Sequence, residues 1–301
     1  MGSDYFSVST AQGKCNLTPV PDMDLIHTVA ELRARLQGER SIVFVPTMGN
    51  LHAGHLALVD AARRNGKCVV ASIFVNRLQF EPGADFERYP RTLAADRAKL
   101  EEAGCDVVFA PDEREMYPDP QEIMVTPPRA AEQLCGEFRP GHFQGVATVV
   151  TKLFHIVRPN VAVFGKKDYQ QLHVIRALVR QLNFGIEIVG VETVRETDGL
   201  AMSSRNIYLS AGERAEAVRL NQVLREVKGA IEGGARDPDA AVAKARAELA
   251  SRGWRVDYVA LRNRSRLEEP QANDRDLVVL AAAWLGATRL IDNLEITVPP
   301  R

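Results

Sequence analysis

Residues 41–64 read SIVFVPTMGNLHAGHLALVDAARR. Ile42–Val45 is apolar and mostly β-branched, as a buried strand requires. Pro46, Gly49 and Asn50 then supply turn chemistry, and beyond His52 the apolar positions Leu56, Val59 and Ala62 return at helical spacing. The unit predicted is strand, tight loop, helix. The first turn of such a helix leaves backbone N–H groups unpaired and carries the positive end of the dipole, so an anion such as phosphate belongs there. His52 and His55, three residues apart, project from one face. Gly54 between them leaves room for a ligand to approach the backbone. Two imidazoles beside a phosphate chain can donate hydrogen bonds and stabilise charge as pyrophosphate leaves. The same spacing also fits an ordinary helix start with surface histidines. Zinc would need three or four ligands, and no Cys/His cluster nearby completes the set.

With 301 residues the chain has room for one large domain or two ordinary ones. Its 38 basic and 39 acidic residues leave a net charge of −1, which gives no electrostatic footprint for nucleic acid or an anionic membrane and favours small-molecule work. Cys15, Cys68, Cys105 and Cys135 are widely spaced without a Cys-x-x-Cys pair, so neither a zinc knuckle nor a disulfide framework is indicated, and a reducing cytoplasm suits them. No apolar run approaches the roughly 20 residues of a membrane helix. The first twenty or so residues lack a signal-peptide pattern, and Phe6 stands where N-myristoylation requires Ser or Thr. They read as an appended remnant and a flexible arm.

Leu25–Leu36 carries an amphipathic stripe and predicts a helix leading into the strand at Ile42. Cys68–Val75 is a continuous apolar run, as in a parallel strand covered on both faces. Helices are predicted over Leu93–Ala103, Val146–Val157 and Tyr169–Leu182, alternating with strands at Val107–Ala110, Val161–Phe164 and Ile186–Val194. This alternation predicts an α/β fold with a Rossmann-like, doubly wound parallel sheet, whose ligands sit at the carboxyl ends of the strands. After about Arg195 the pattern changes. Ser210 and Glu213 form a capping box for a helix running to Gly233-Gly234, and Asp237-Pro238 opens a second through Leu249. Strand-like runs at Val256–Leu261, Leu277–Ala282 and Arg289–Ile296 follow. The expected division is residues 1–194, a Rossmann-like unit, and 195–301, a smaller α+β unit.

Three further stretches carry polar groups at strand ends or loops. In Asn76-Arg77-Leu78-Gln79-Phe80, Gln79 can hold a hydroxyl and a carboxylate, or can simply bond the backbone. In the run from Phe164 to Gln171, Gly165 permits a sharp exit, a lysine can neutralise phosphate, and Asp168 can equally be a helix cap. Met202-Ser203-Ser204-Arg205 offers two hydroxyls and a guanidinium that can wrap a triphosphate, although such tripeptides are common in loops.

Together these stretches resemble the motifs of the pantothenate synthetases (pantoate–β-alanine ligases), members of the His-x-Gly-His nucleotidyltransferase superfamily. PTMGNLHAGH is similar to that family's ATP-binding stretch, residues 165–171 to its Gly-x-Lys-Asp-Tyr-Gln-Gln motif, and residues 202–205 to its Met-Ser-Ser-Arg loop. The resemblance covers about Leu25 to Ile296. It departs at Arg77, where the family usually has proline.

The resemblance implies ATP-dependent condensation of (R)-pantoate with β-alanine through a pantoyl adenylate, releasing AMP and pyrophosphate. It implies ATP contacts from Met48, Gly49, Asn50, Leu51, His52, Ala53, Gly54 and His55, and from Gly165, Lys166, Lys167, Asp168, Val194, Met202, Ser203, Ser204 and Arg205. Lys167 would meet phosphates, Asp168 the ribose hydroxyls, and Val194 the adenine. Lys166 belongs to that turn without an assigned contact. The catalytic set implied is His52, His55, Lys167 and Arg205, with His55 as proton donor. Gln79, Gln171, Asn76, Tyr89 and Arg139 would face pantoate and β-alanine, and Asp96 would help hold Mg²⁺. Residues 202–205 would close over ATP as a mobile loop. A homodimer formed through the N-terminal unit is implied, with no nucleic-acid or membrane partner. Two other classes remain: a cytidylyltransferase of the same superfamily, and a non-catalytic nucleotide-binding scaffold.

Overall fold

Residues 23–80, 86–87 and 89–299 are described by the computed structural model, and the expected N-terminal arm with Cys15 lies outside them. The chain opens with strand β1 (Asp24–Ile26) and helix α1 (Val29–Arg35). The helix expected over residues 25–36 is therefore only partly present. Asp24, Leu25 and Ile26 pair in parallel with Val107, Val108 and Phe109, and the Thr28 hydroxyl accepts from Glu31 N to start the helix afresh. An apolar stripe spaced for a helix ran across a residue that caps one.

Then come β2 (Ile42–Thr47), α2 (Ala53–Asn65), β3 (Cys68–Ile73), α3 (Leu93–Glu102) and β4 (Val107–Phe109). They are followed by the short helices α4 (Glu113–Met116) and α5 (Cys135–Phe138), α6 (His142–Val157), β5 (Val161–Gly165), α7 (Tyr169–Gln181) and β6 (Glu187–Val191). Gly141, left-handed at φ 79°, starts α6 four residues ahead of the apolar pattern. The six strands form one sheet in the order β1-β4-β3-β2-β5-β6, and every pair is parallel. Phe44, Val70, Phe109 and Phe164 enter the core on one face, while Val43, Val45, Val69 and Val108 enter that on the other. Burial of both faces is why these strands read as unbroken apolar runs. The chain winds outward from β2 through β3 and β4, then returns to lay β5 against the other side of β2. That reversal opens a crevice at the carboxyl ends of β2 and β5.

Beyond β6 lie α8 (Ala211–Ala217), α9 (Arg219–Glu232) and α10 (Pro238–Ser251), and then an antiparallel sheet of β7 (Arg255–Asn263), β8 (Asp276–Leu285) and β9 (Thr288–Thr297). Ser210 and Glu213 form the expected capping box, but the helix they start breaks at Val218 into α8 and α9. The sheet is covered on both faces. From β8, Leu277, Val279, Ala281 and Ala283 pack with α9 and α10, whereas Val278, Leu280 and Ala282 pack with Phe143, Tyr169 and Val174 of the parallel-sheet unit.

One close approach matters for the site. At Gly145, α6 crosses the single turn Arg77–Gln79, and a Cβ there would lie 2.1 Å from the Leu78 carbonyl oxygen. Gly145→Ala must therefore push helix and turn apart, at a cost of about 1–3 kcal/mol. Urea denaturation is expected to show a lower midpoint with little change in slope; an unchanged midpoint would contradict this packing.

Candidate active site

Thr47 ends β2, and the chain turns through two successive left-handed residues, Gly49 (φ 81°) and Asn50 (φ 51°). The turned loop is held from α3. Asp96, 0% exposed, accepts from Asn50 N and Leu51 N, both at 2.8 Å, and from Thr92 Oγ1 at 2.9 Å. Lys99 Nζ donates to Leu51 O at 2.6 Å. In this arrangement the oxygens of Asp96, the carboxylate expected at magnesium, face the loop backbone and take its hydrogen bonds. No group of three or more His, Cys, Asp or Glu suited to a metal occurs among the described residues.

His52 is the N-cap of α2. Its Nδ1 accepts from Gly54 N at 3.1 Å, and His55 Nδ1 accepts from His52 N at 3.3 Å. An imidazole nitrogen that accepts is unprotonated, so both rings carry their proton on Nε2. The ring centroids lie 4.1 Å apart. Gly54 makes this possible, since a Cβ there would come within 2.8 Å of His52 Cε1. Burial, then the Lys167 ammonium, lowers His52 to about 4; burial, then His52, lowers His55 to about 3. The half-buried pair is thus neutral at neutral pH and offers N–H donors. The reading of surface histidines at an ordinary helix start does not hold. In this state His55 offers a hydrogen-bond donor at Nε2, and the proton-donating role expected of it would require the ring to gain a proton first.

Gln79 follows β3, in the turn crossed by α6. Its Oε1 accepts from Asn76 Nδ2 at 3.1 Å, and its Nε2 lies 3.0 Å from Met48 Sδ. Asn76, 1% exposed, spends its other amide hydrogen on Gly145 O at 3.1 Å and accepts from the Tyr117 hydroxyl at 2.7 Å. This relay fixes which end of the Gln79 amide is free to donate. His142 is structural: its Nδ1 bonds Gln79 O at 2.9 Å, and burial, then Arg139, lowers it to about 3. Arg77 bonds Glu113 at 2.9 Å and stacks 4.1 Å over Phe86, so side-chain contacts rather than a proline ring brace this loop.

Across the crevice, β5 ends in the tight turn Lys166–Asp168. The two lysines diverge. Lys166 Nζ pairs with Glu192 and, at 3.2 Å, with Glu295. Lys167 lies toward His52. Desolvation in the cleft pushes the Asp168 carboxyl up although about half of its side chain meets solvent, but Lys167 and then Arg205 outweigh it and hold the pKa below its ordinary value. A cavity of about 890 Å³ opens here, lined by Arg139, Lys167, Asp168, Gln171, Ser203 and Arg205 together with residues of the C-terminal sheet. Met202 N bonds Val194 O at 3.0 Å, which ties the Met202–Arg205 loop to the end of the segment after β6. Burial raises the Tyr89 phenol, and its hydrogen bond with Ser204 offsets part of that rise. Tyr117, Lys99 and the residues of β9 behind the turn carry no motif, and sequence reading missed them.

A profile of the family described as pantoate-beta-alanine ligase matches residues 24–295. The chain is 62% identical over 276 residues to the pantothenate synthetase of Thiobacillus denitrificans, covering 91% of this chain and 98% of that one. It is 57% identical over 278 residues to that of Neisseria meningitidis serogroup B, covering 92% and 100%. Among solved structures, pantothenate synthetase from Thermus thermophilus superposes with a TM-score of 0.87 at 47% identity, covering 92% of this chain and 100% of that one. Pantoate-beta-alanine ligase from Francisella tularensis, complexed with beta-gamma ATP and beta-alanine, gives 0.77 at 32% identity, covering 91% and 97%.

The paired rings make a pH prediction. An unfolded chain takes up protons near the ordinary histidine pKa of 6.5, whereas these sites resist them down to about 4 and about 3. Where the unfolded state binds more protons, stability rises with pH. Their contribution is therefore complete above pH 6.5 and is lost as pH falls toward the folded values. Ring ¹⁵N spectra are expected to show Nε2–H tautomers at pH 7 and no titration of either ring down to about pH 5. An imidazolium signal from either at pH 6 would contradict the geometry.

Proposed function

The chain belongs to the pantoate–β-alanine ligase family, and from that premise we propose how its residues divide the work. The reaction is ATP-dependent condensation of pantoate with β-alanine to pantothenate. The observation that supports our assignment is topological: the His52/His55 loop and the Lys167/Asp168 turn leave β2 and β5, the two strands flanking the reversal of the sheet. Family membership across residues 24–295 leaves no observation that favours a cytidylyltransferase or an inert scaffold.

In the first half-reaction the pantoate carboxylate attacks the α-phosphorus of ATP, and the bond to the pyrophosphate oxygen breaks. Charge gathers on the phosphate oxygens. His52 and His55 meet it with Nε2–H donors, and Lys167 and Arg205 with cations. Preorganised neutral donors cost no proton transfer, and their lowered pKa values keep them in that state. Asp168 accepts from the ribose hydroxyls. Gln79 and Gln171 hold pantoate, and Arg139 and Tyr89 close its side of the site. In the second half-reaction the β-alanine amine attacks the acyl carbon, AMP leaves, and the amine loses its proton. The Met202–Arg205 loop, reaching Tyr89 through Ser204, keeps water from the mixed anhydride.

No cluster of three or more His, Cys, Asp or Glu for a cation occurs among the described residues; we place magnesium on the nucleotide's phosphates, the usual home of an ion that keeps much of its water, and keep Asp96 as the carboxylate the family resemblance suggests for it. We divide the chain at 194/195 and read it as a cytoplasmic homodimer joined through its N-terminal unit, as the family resemblance implies. Cys68, Cys105 and Cys135 are free thiols, in keeping with a reducing compartment. No described helix is long and apolar enough to cross a membrane.

Pantoate-dependent exchange of labelled pyrophosphate into ATP tests the first half-reaction, and its absence in folded protein would refute this reading. His55→Ala and His52→Ala are each expected to slow exchange by about 10²–10³, the cost of removing one preorganised donor; an unchanged rate would dismiss the residue. Tyr117→Phe removes one hydroxyl behind Asn76 and Gln79. It is expected to raise KM for pantoate about three- to tenfold, the worth of one hydrogen bond, while leaving KM for ATP unchanged. Equal rises for both substrates would sever the relay from pantoate.

A further inference from the structure

The turn that carries Lys167 and Asp168 has no side-chain cap at either end. Its backbone is held from 126 residues away. Asn293 of β9, 6% exposed, donates through Nδ2 to Lys166 O at 3.0 Å and to Lys167 O at 2.9 Å. Both hydrogens of one amide are thus spent on successive carbonyls. Asn293 is itself anchored, because its backbone N–H donates to Asp292 Oδ1 at 2.7 Å. Asp292 in turn takes two bonds from Arg195, at 2.7 and 2.9 Å, and one from Asn221 Nδ2 at 2.9 Å. Two residues on, on the same face of β9, Glu295 accepts from the Tyr169 hydroxyl at 2.8 Å and pairs with Lys166.

We propose that Asn293 is a positioning residue of the ligase: by clamping the Lys166 and Lys167 carbonyls it aims the Lys167 ammonium and the Asp168 carboxylate at the nucleotide. Nucleotide binding then depends on how the C-terminal sheet is seated, although no residue of β9 need touch ATP. The inference rests on the nucleotide roles assigned above to Lys167 and Asp168. It goes further in making the three-stranded sheet part of the nucleotide site's support. Asparagine suits the place chemically. A carboxylate of the same shape would set negative charge against two carbonyl oxygens, and a shorter hydroxyl offers one hydrogen where two are needed.

The test compares Asn293→Asp, Asn293→Ser and Asn293→Ala with the parent chain by calorimetric titration of a non-hydrolysable ATP analogue. Alongside run pyrophosphate exchange, single-turnover aminolysis of preformed pantoyl adenylate by β-alanine, and thermal melts. Asn293→Asp is expected to weaken the analogue about tenfold or more, and Asn293→Ser, with one donor left, by an intermediate factor. KM for pantoate and the aminolysis rate at saturating adenylate should stay within about twofold, because saturation offsets a weakened Asp168–ribose contact and neither step needs the pyrophosphate contacts of Lys167. Unchanged analogue affinity in any folded variant overturns the proposal. So does a proportional loss in both half-reactions that follows the melting temperature, which is what a merely structural residue would produce. Asn293→Ala, which buries no charge, supplies the answer if Asn293→Asp does not fold. Absence of exchange in the parent chain would instead count against the ligase reading itself, while the analogue titration still reports on the clamp.

Discussion

A carboxylate sealed from water must find hydrogen-bond donors, and Asp96 finds them in the backbone of Asn50 and Leu51. Its grip fixes the only stretch of chain between β2 and α2, and so fixes the entry of α2 and the azimuth of both imidazoles. Two left-handed residues in a row would be an awkward path for a free loop. Here the path is imposed by a helix whose own sequence gives no hint of it. The orientation of the paired histidines depends on α3 as much as on the motif that contains them.

The cleft's electrostatics follow from which side chains the fold lets in. Lys166 and Lys167 are neighbours in sequence but part at the turn, one to Glu295 and Glu192, the other to the crevice. Lys167 and Arg205 hold Asp168 ionised, and Lys167 and Lys99 help keep the imidazoles neutral. Cations beside uncharged imidazole donors suit a polyanion whose charge shifts from one oxygen to another during reaction.

Much of this was legible in the sequence, and what was not shares one cause. The strand, loop and helix around His52, the alternation through Val194 and the capping box at Ser210 are set by residues near one another in the chain, so local periodicity carries them. Leu25 and Ile26 look helical until β4 offers them a partner. The break at Val218 is invisible to an apolar stripe that continues across it. The work of Asp96, Tyr117 and Asn293 rests on contacts 46, 41 and 126 residues distant. A carboxylate on a helix looks the same in sequence whether it meets a metal, a backbone or water.

The unbroken apolar run of β8 records that its sheet has no wet face: alternate residues serve α9 and α10 on one side, and Phe143, Tyr169 and Val174 on the other. An antiparallel sheet of an autonomous module would keep one side polar. Cutting the polypeptide near residue 195 would therefore bare a greasy surface on each fragment, the kind that drives clumping in solution. The two halves therefore share one core, and any movement between them is cheapest where it keeps the packed part of that surface covered.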